Sequence, residues 1–288
     1  MNHFADRLAD AIRNKGNPLC VGIDPRWESL PAAIRTRYPD QPARAFEEFG
    51  LRVLELVAPL VPIVKPQSAF FEACGPDGFT AQKHILDRAR ELGLITILDA
   101  KRGDIASTAV AYAEAAFNVW NADSLTVNPY LGRDAVEPFI AEARKSQRGL
   151  FVLVRTSNAG SGLFQDLPCE GRPLYQHVAT AVAEWNRGNL GSCRLGDVGA
   201  VVGATHPSEL TLLRDLLPDV WFLVPGFGAQ GGTAKDVAGA FRSDGLGAIV
   251  NSSRGITFPF HPDDPQWETA IVQATHRAIG ELKSVMPR

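Results

Sequence analysis

The sequence predicts an α/β fold, a single-domain (β/α)8 TIM barrel, and three observations carry that expectation. Eight short apolar runs recur along the chain, helical apolar stripes separate them, and no Pro/Gly/Ser-rich linker offers a place to divide it. Strands and helices that alternate in this way build a parallel sheet covered by helices, and eight such units close into a barrel. The length of 288 residues exceeds that of a usual domain, yet barrels of this kind commonly run to about 250 residues as one unit. Residues 1–288 are therefore expected to form one domain.

The chain opens with MNHFADRLADAIRNKGN, which has the pattern of an amphipathic helix rather than of a signal peptide. The first strand is LCVGID (19–24), followed by VPIVKPQ (61–67), LITILDAK (94–101) and SLTVNPY (124–130). The second half repeats the theme with GLFVLVRTS (149–157), VGAVVGAT (198–205), VWFLVPGFG (220–228) and GAIVNSSR (247–254). Their continuous hydrophobicity is what strands covered on both faces show. Helical spacing links Phe46, Phe49, Val53 and Val57 after the first run. Ile85, Ala89 and Leu92 follow the second, stopping at Gly93. Val136, Phe139, Ile140 and Ala143 make the next stripe, Val178, Ala181, Val182 and Trp185 another, and Ile271, Thr275, Ile279 and Leu282 the last. Residues 25–42 and 158–172 read as long loops.

Composition narrows the function. A 45% hydrophobic, 21% charged chain can bury a large core. Its net charge of −3 argues against nucleic acid as a partner, since phosphate backbones call for a basic surface. No apolar run approaches the roughly 20 residues of a membrane span, so no membrane partner and a cytoplasmic location are expected. Cys20, Cys74, Cys169 and Cys193 are scattered and form neither a CxxC pair nor a zinc-ligand cluster with the histidines. No metal or other cofactor is expected.

Charged residues crowd at the C-terminal ends of the runs: Asp24 at the first, Lys65 near the end of the second, Asp99 and Lys101 at the third, Arg254 at the eighth. In a barrel those ends form the catalytic face. The strand period of two puts Asp99 and Lys101 on one side, with Asp104 in the loop that opens the next helix. A surface ion-pair cluster would suffice for a helix N-terminus. It does not explain charges that extend the core run Leu94 to Leu98, because buried charges persist mainly when paired or used.

Asp99-Ala100-Lys101-Arg102-Gly103-Asp104, with Lys65 in IVKPQ upstream, resembles the Asp-x-Lys-x-x-Asp signature of orotidine 5′-phosphate decarboxylases. The resemblance runs from Asp24 to Arg254. It includes Thr156-Ser157-Asn158, the run Pro225-Gly226-Phe227-Gly228-Ala229-Gln230-Gly231-Gly232 and Val250-Asn251-Ser252-Ser253-Arg254-Gly255, and the long loops point to a longer-chain bacterial-type subgroup. It implies a carboxy-lyase that converts orotidine 5′-phosphate to uridine 5′-phosphate, the last step of de novo pyrimidine biosynthesis. Lys65, Asp99, Lys101 and Asp104 would form an alternating charged network with Lys101 as proton donor. Asp24 and Lys65 would hold ribose hydroxyls, with Thr108 a further hydroxyl contact. The resemblance also places Asp104 and Thr108 in the neighbouring subunit's site, which makes a homodimer the expected assembly; the sequence itself shows no interface. Nothing in the chain suggests pyridoxal or thiamine as an electron sink, so a fixed ammonium is expected to stabilise the carbanion.

Gly226 to Gly231 spell GxGxxG between a strand and a helix. A dinucleotide site needs an acidic residue at the end of the following strand, but Asp244 precedes that strand, which ends at Arg254. The loops after the seventh and eighth strands form the usual barrel phosphate site, so Gln230, Arg254 and backbone N–H groups around Gly231 are the expected phosphate ligands. Ser157, in its Thr-Ser-Asn turn, is the expected pyrimidine contact. Two rivals stand beside this reading. A metal-dependent barrel enzyme for a sugar phosphate would need further carboxylates near the strand ends, beyond Asp24, Asp99 and Asp104. A non-catalytic nucleotide binder on the same scaffold would not need the Lys101 network.

Overall fold

The computed structural model describes residues 3–228 and 231–287. The eight runs become strands β1 (Leu19–Ile23), β2 (Ile63–Pro66), β3 (Ile95–Arg102), β4 (Ser124–Val127), β5 (Gly149–Arg155), β6 (Val198–Val202), β7 (Phe222–Val224) and β8 (Ala248–Ser252). They close into a barrel in the order β1-β8-β7-β6-β5-β4-β3-β2, every neighbouring pair parallel. The fold class read from the sequence is thus the observed one, although several strands are shorter than their runs. β7 stops at Val224 because Pro225 has no N–H for the ladder and Gly226 turns away with φ 99°.

Alternation along the strands sorts residues between two apolar layers. Cys20, Ile63, Ile97, Phe151, Leu223 and Ile249 fill the barrel interior. Their successors Val21, Val64, Leu98, Val152, Val224 and Val250 face the surrounding helices. One period further on, the inward positions are Gly22, Lys65, Asp99, Leu153, Pro225 and Asn251, so the interior changes from apolar to charged within one layer. The opposite mouth is closed by helix Phe4–Lys15, which buries Phe4, Ala5, Leu8, Ala9 and Ile12 against the interior cluster. Gly149 lets that helix approach: a Cβ there would lie 2.2 Å from the Phe4 ring. Asp6 of the helix accepts the Ser192 and Cys193 N–H groups at 2.9 and 2.8 Å, and Arg7 pairs with Asp123 at 2.7 Å.

The predicted stripes on helices Pro42–Val57, Arg133–Lys145 and Trp267–Lys283 are buried as expected. On Gly75–Glu91, Ile85 and Ala89 are buried and Leu92 caps the end before Gly93. Helix Leu174–Trp185 departs from the prediction in part: it buries Tyr175, Ala179 and Val182, while Val178 and Trp185 of the expected stripe pack half-buried against the core. The cause is the next residue on that face, Asn186, which donates to the Val198 carbonyl at 2.6 Å and accepts the Val198 N–H at 3.0 Å. Those two bonds to β6 set the rotation of the helix against the larger apolar side chains. The expected long loops are also structured. Residues 25–42 contain a 3-10 turn at Trp27–Ser29 and helix Ala32–Arg37. Residues 158–172 contain helix Gly162–Gln165 and one strand of a small hairpin that pairs Pro168–Cys169 with Arg172–Pro173.

Arg214 is a buried cation held by backbone alone. It donates to the carbonyls of Leu217, Val220, Ala240 and Gly247 at 2.7 to 3.0 Å and lies 3.7 Å over the Phe222 ring. Burial pulls its pKa down to about 9. Arg214→Met is expected to cost about 3 kcal/mol, because the buried Ala240 and Val220 carbonyls lose the guanidinium donor, while those of Leu217 and Gly247 keep the N–H groups of Val220 and Phe222. Urea denaturation checks this, and a midpoint equal to wild type would refute it.

Candidate active site

The charged layer opens into a cavity of about 460 Å³ at the C-terminal mouth, whose walls include Asp24, Lys65, Asp99, Lys101, Ser157 and Asn251. Asp99 is its hub and is 6% exposed. Its Oδ2 accepts Lys65 Nζ at 2.6 Å and Gln67 Nε2 at 3.0 Å. Its Oδ1 accepts Lys101 Nζ at 2.6 Å and the Thr126 hydroxyl at 3.0 Å. The same Thr126 oxygen accepts the N–H groups of Ala100 and Lys101 at 3.0 and 2.9 Å. Lys101 needs that support: its φ is +49°, a left-handed conformation unfavourable for a side chain of its length, at a slip in register between β3 and β4.

Electrostatics follow from this geometry. Burial would strip the charge from Lys65, but Asp99 and Asp24 outweigh it and hold the ammonium above its ordinary pKa. Burial likewise pushes the Asp99 carboxyl up, and Lys65 and Lys101 override it, leaving the group well below the usual carboxylate range. At neutral pH Lys65 is therefore an ammonium and Asp99 a carboxylate. The two lysines differ in freedom: the Lys65 side chain is 5% exposed, that of Lys101 46%. Lys65 is fixed, whereas Lys101 can reach both a ligand in the cavity and solvent.

A smaller cavity of about 140 Å³ adjoins the first and shares Asp24, Asn251 and Ser253 with it; Arg26, Gly226, Phe227 and Arg254 complete most of its wall. Arg254 starts the short helix Arg254–Thr257 directly after β8. Gly22 makes the junction possible, since a Cβ there would fall 1.9 Å from Ser253 Oγ. Asp24 Oδ1 and Asn251 Oδ1 are buried with no hydrogen-bond partner among the described residues. Two unsatisfied acceptors between the cavities suit a ligand carrying hydroxyl donors.

The structure thus brings Asp24, Lys65, Asp99, Lys101 and Ser157 to one cavity and Arg254 to its neighbour. Asp104 and Thr108 line neither. Asp104 accepts the Ile105 N–H at 2.8 Å, and Thr108 is exposed on helix Ala106–Glu114. Gly231 donates its N–H to the Gly228 carbonyl at 2.8 Å, so the glycine turn uses that donor itself. Gln230 lies outside the described residues. Sequence reasoning missed Gln67, Thr126, Gln165 and Asn251. Gln67 and Asn251 sit inside the Lys65 and Arg254 motifs. Thr126 resembles any β-branched strand residue, and only its position across from Asp99 reveals it. Among the described residues, no group of three or more His, Cys, Asp or Glu side chains is placed to share a metal ion.

A barrel whose C-terminal mouth joins a Lys-Asp-Lys cluster to an arginine-bearing pocket defines an enzyme site for a small anionic substrate. A family model described as "Orotidine 5'-phosphate decarboxylase / HUMPS family" matches residues 17–263, and the chain belongs to that family. An orotidine 5′-phosphate decarboxylase of Rhodopirellula baltica is 45% identical over 301 residues, covering 98% of this chain and 100% of that one. One from Deinococcus radiodurans is 41% identical over 257 residues, covering 88% and 89%. The solved OMP decarboxylase of Leishmania donovani superposes with a TM-score of 0.80 at 34% identity, covering 98% of each chain.

Proposed function

We propose that residues 1–288 form one catalytic unit that decarboxylates orotidine 5′-phosphate to uridine 5′-phosphate, with Lys101 as the proton donor. The observation that carries the reading is the Asp99 hub, which holds one buried and one half-exposed ammonium in the same cavity. The phosphate belongs in the Arg254 pocket, the ribose between the pockets against Asp24 and Asn251, and the pyrimidine against Ser157. The bond from C6 to the carboxylate breaks, CO₂ leaves, and the electron pair stays on C6. Lys101 stabilises that charge as it develops and then passes a proton to C6. Its exposed side chain can recover a proton from water. Asp99 stands beside the departing carboxylate, keeps the buried Lys65 ammonium charged and holds Lys101 in place. Loss of the orotate chromophore with equimolar appearance of uridine 5′-phosphate tests the reading.

Phosphate binding is remote from the reacting carbon, so Arg254→Ala is expected to raise KM about 100-fold or more with a smaller change in kcat. Steady-state kinetics check this, and an unchanged KM would remove Arg254 from the phosphate site.

A homodimer with Asp104 and Thr108 donated across the interface is part of the same proposal, as is a cytoplasmic setting. Support comes from the segment that follows Asp104, along which Ile105, Val110, Tyr112 and Val119 are exposed. Apolar side chains exposed in this way favour burial against a partner. No helix among the described residues is long and apolar enough to cross a membrane. Lys101→Ala and Asp104→Ala chains, each inactive alone, should recover activity when mixed and re-equilibrated, because half the sites of each hybrid dimer carry neither change. No recovery in a demonstrated hybrid would contradict shared sites.

A further inference from the structure

The segment 158–172 after β5 is tied to the site by two adjacent residues. Arg155, the last residue of β5, is 3% exposed and needs compensation for its charge. It faces Asp166 at 3.0 Å and Glu209 at 3.8 Å, and its guanidinium lies 5.4 Å from the centre of the Tyr175 ring. Asp166 belongs to that segment, so the ion pair fastens it to the end of the strand. Gln165, the residue before it, brackets Thr156. Its Oε1 accepts the Thr156 N–H at 3.0 Å, and its Nε2 donates to the Thr156 hydroxyl at 2.8 Å. That hydroxyl donates in turn to Asn158 at 2.7 Å.

Thr156 and Ser157 lie beyond the end of β5, so the barrel ladder no longer fixes their backbone. From one side the turn rests on Gly203, where a Cβ would come within 2.9 Å of Ser157 Cα. Gln165 holds its first residue through both backbone and side chain, and both Gln165 and Ser157 line the catalytic cavity. We infer that Gln165, anchored through the Arg155–Asp166 pair, is a positioning residue that sets the Thr156-Ser157 turn for recognition of the pyrimidine. The inference rests on the reading of Ser157 as the pyrimidine contact. It assigns Gln165 a task in base recognition that the phosphate pocket does not share.

The experiment compares binding of uridine 5′-phosphate and of ribose 5-phosphate, which lacks the base, by calorimetry on wild type, Ser157→Ala, Gln165→Ala and Gln165→Met. Methionine matches glutamine in volume and loses both hydrogen bonds. Both Gln165 variants are expected to bind uridine 5′-phosphate about tenfold more weakly. Ribose 5-phosphate affinity and Tm should stay at wild-type values, and Ser157→Ala should show the same selectivity. Gln165→Met binding uridine 5′-phosphate like wild type, while Ser157→Ala does not, would overturn the inference and leave the Ser157 reading standing. Parallel loss of both ligands, or a lowered Tm, would make Gln165 a merely structural residue and also overturn it. Unchanged binding by Ser157→Ala would remove the pyrimidine reading and the inference with it.

Discussion

Lys101→Ala is expected to lower kcat for orotidine 5′-phosphate by at least about 10⁴-fold while leaving the fold intact. Two effects vanish together: a positioned proton donor contributes about 10²–10⁴-fold, and a preorganised charge at the developing anion about 10²–10³-fold. Stability should change little, because the side chain is half-exposed and alanine meets the same backbone strain at φ +49°. Asp99 keeps its bonds to Lys65, Gln67 and Thr126. Stopped assays and circular dichroism on one preparation check both halves of the prediction. Wild-type turnover in this variant would remove the mechanism.

Asp99→Asn should damage activity and stability at once. It leaves the Lys65 ammonium buried without its main counter-charge, a change that costs about 3–5 kcal/mol. For a chain of this size Tm should fall on the order of 10 °C, and turnover by about 10³-fold or more as Lys101 loses its orientation. Adding Lys65→Met removes the stranded charge, so the double variant should regain most of the stability and none of the activity. Additive losses in Tm would contradict this coupling. The pH dependence has a defined sign. Asp99 has a depressed pKa, so its contribution is present above the ordinary 3.8 and is lost as pH falls through the folded value. Lys65 has a raised pKa, so its contribution is complete below 10.5 and is lost as pH rises through the folded value. Between those limits the pair should contribute a stability that does not vary with pH.

The barrel was legible because strands buried on both faces leave continuous apolar runs, and the site because charges interrupt those runs only at one end. Lys65 and Asp99 are placed by simple alternation from Ile63 and Ile97. Elsewhere, partners distant in the chain decided the outcome. Asn186 turned helix Leu174–Trp185 by bonding β6, against the largest apolar stripe. Thr126 supports Lys101 from the adjacent strand, 25 residues away, and no local pattern marks it. The stretch 158–172 has too few apolar residues to announce a helix, and its order comes from a buried arginine on β5. Asp104 and Thr108 sit outside both cavities at the surface of one chain, where Asp104 accepts the Ile105 N–H.

Decarboxylation through Lys101 with no metal ion is tested by turnover of orotidine 5′-phosphate by the purified protein in excess EDTA. Complete loss of the orotate chromophore is expected, matched by uridine 5′-phosphate, at a rate EDTA does not change. Folded, dimeric protein that leaves the substrate untouched, or that turns it over only when a divalent cation is restored, would contradict it.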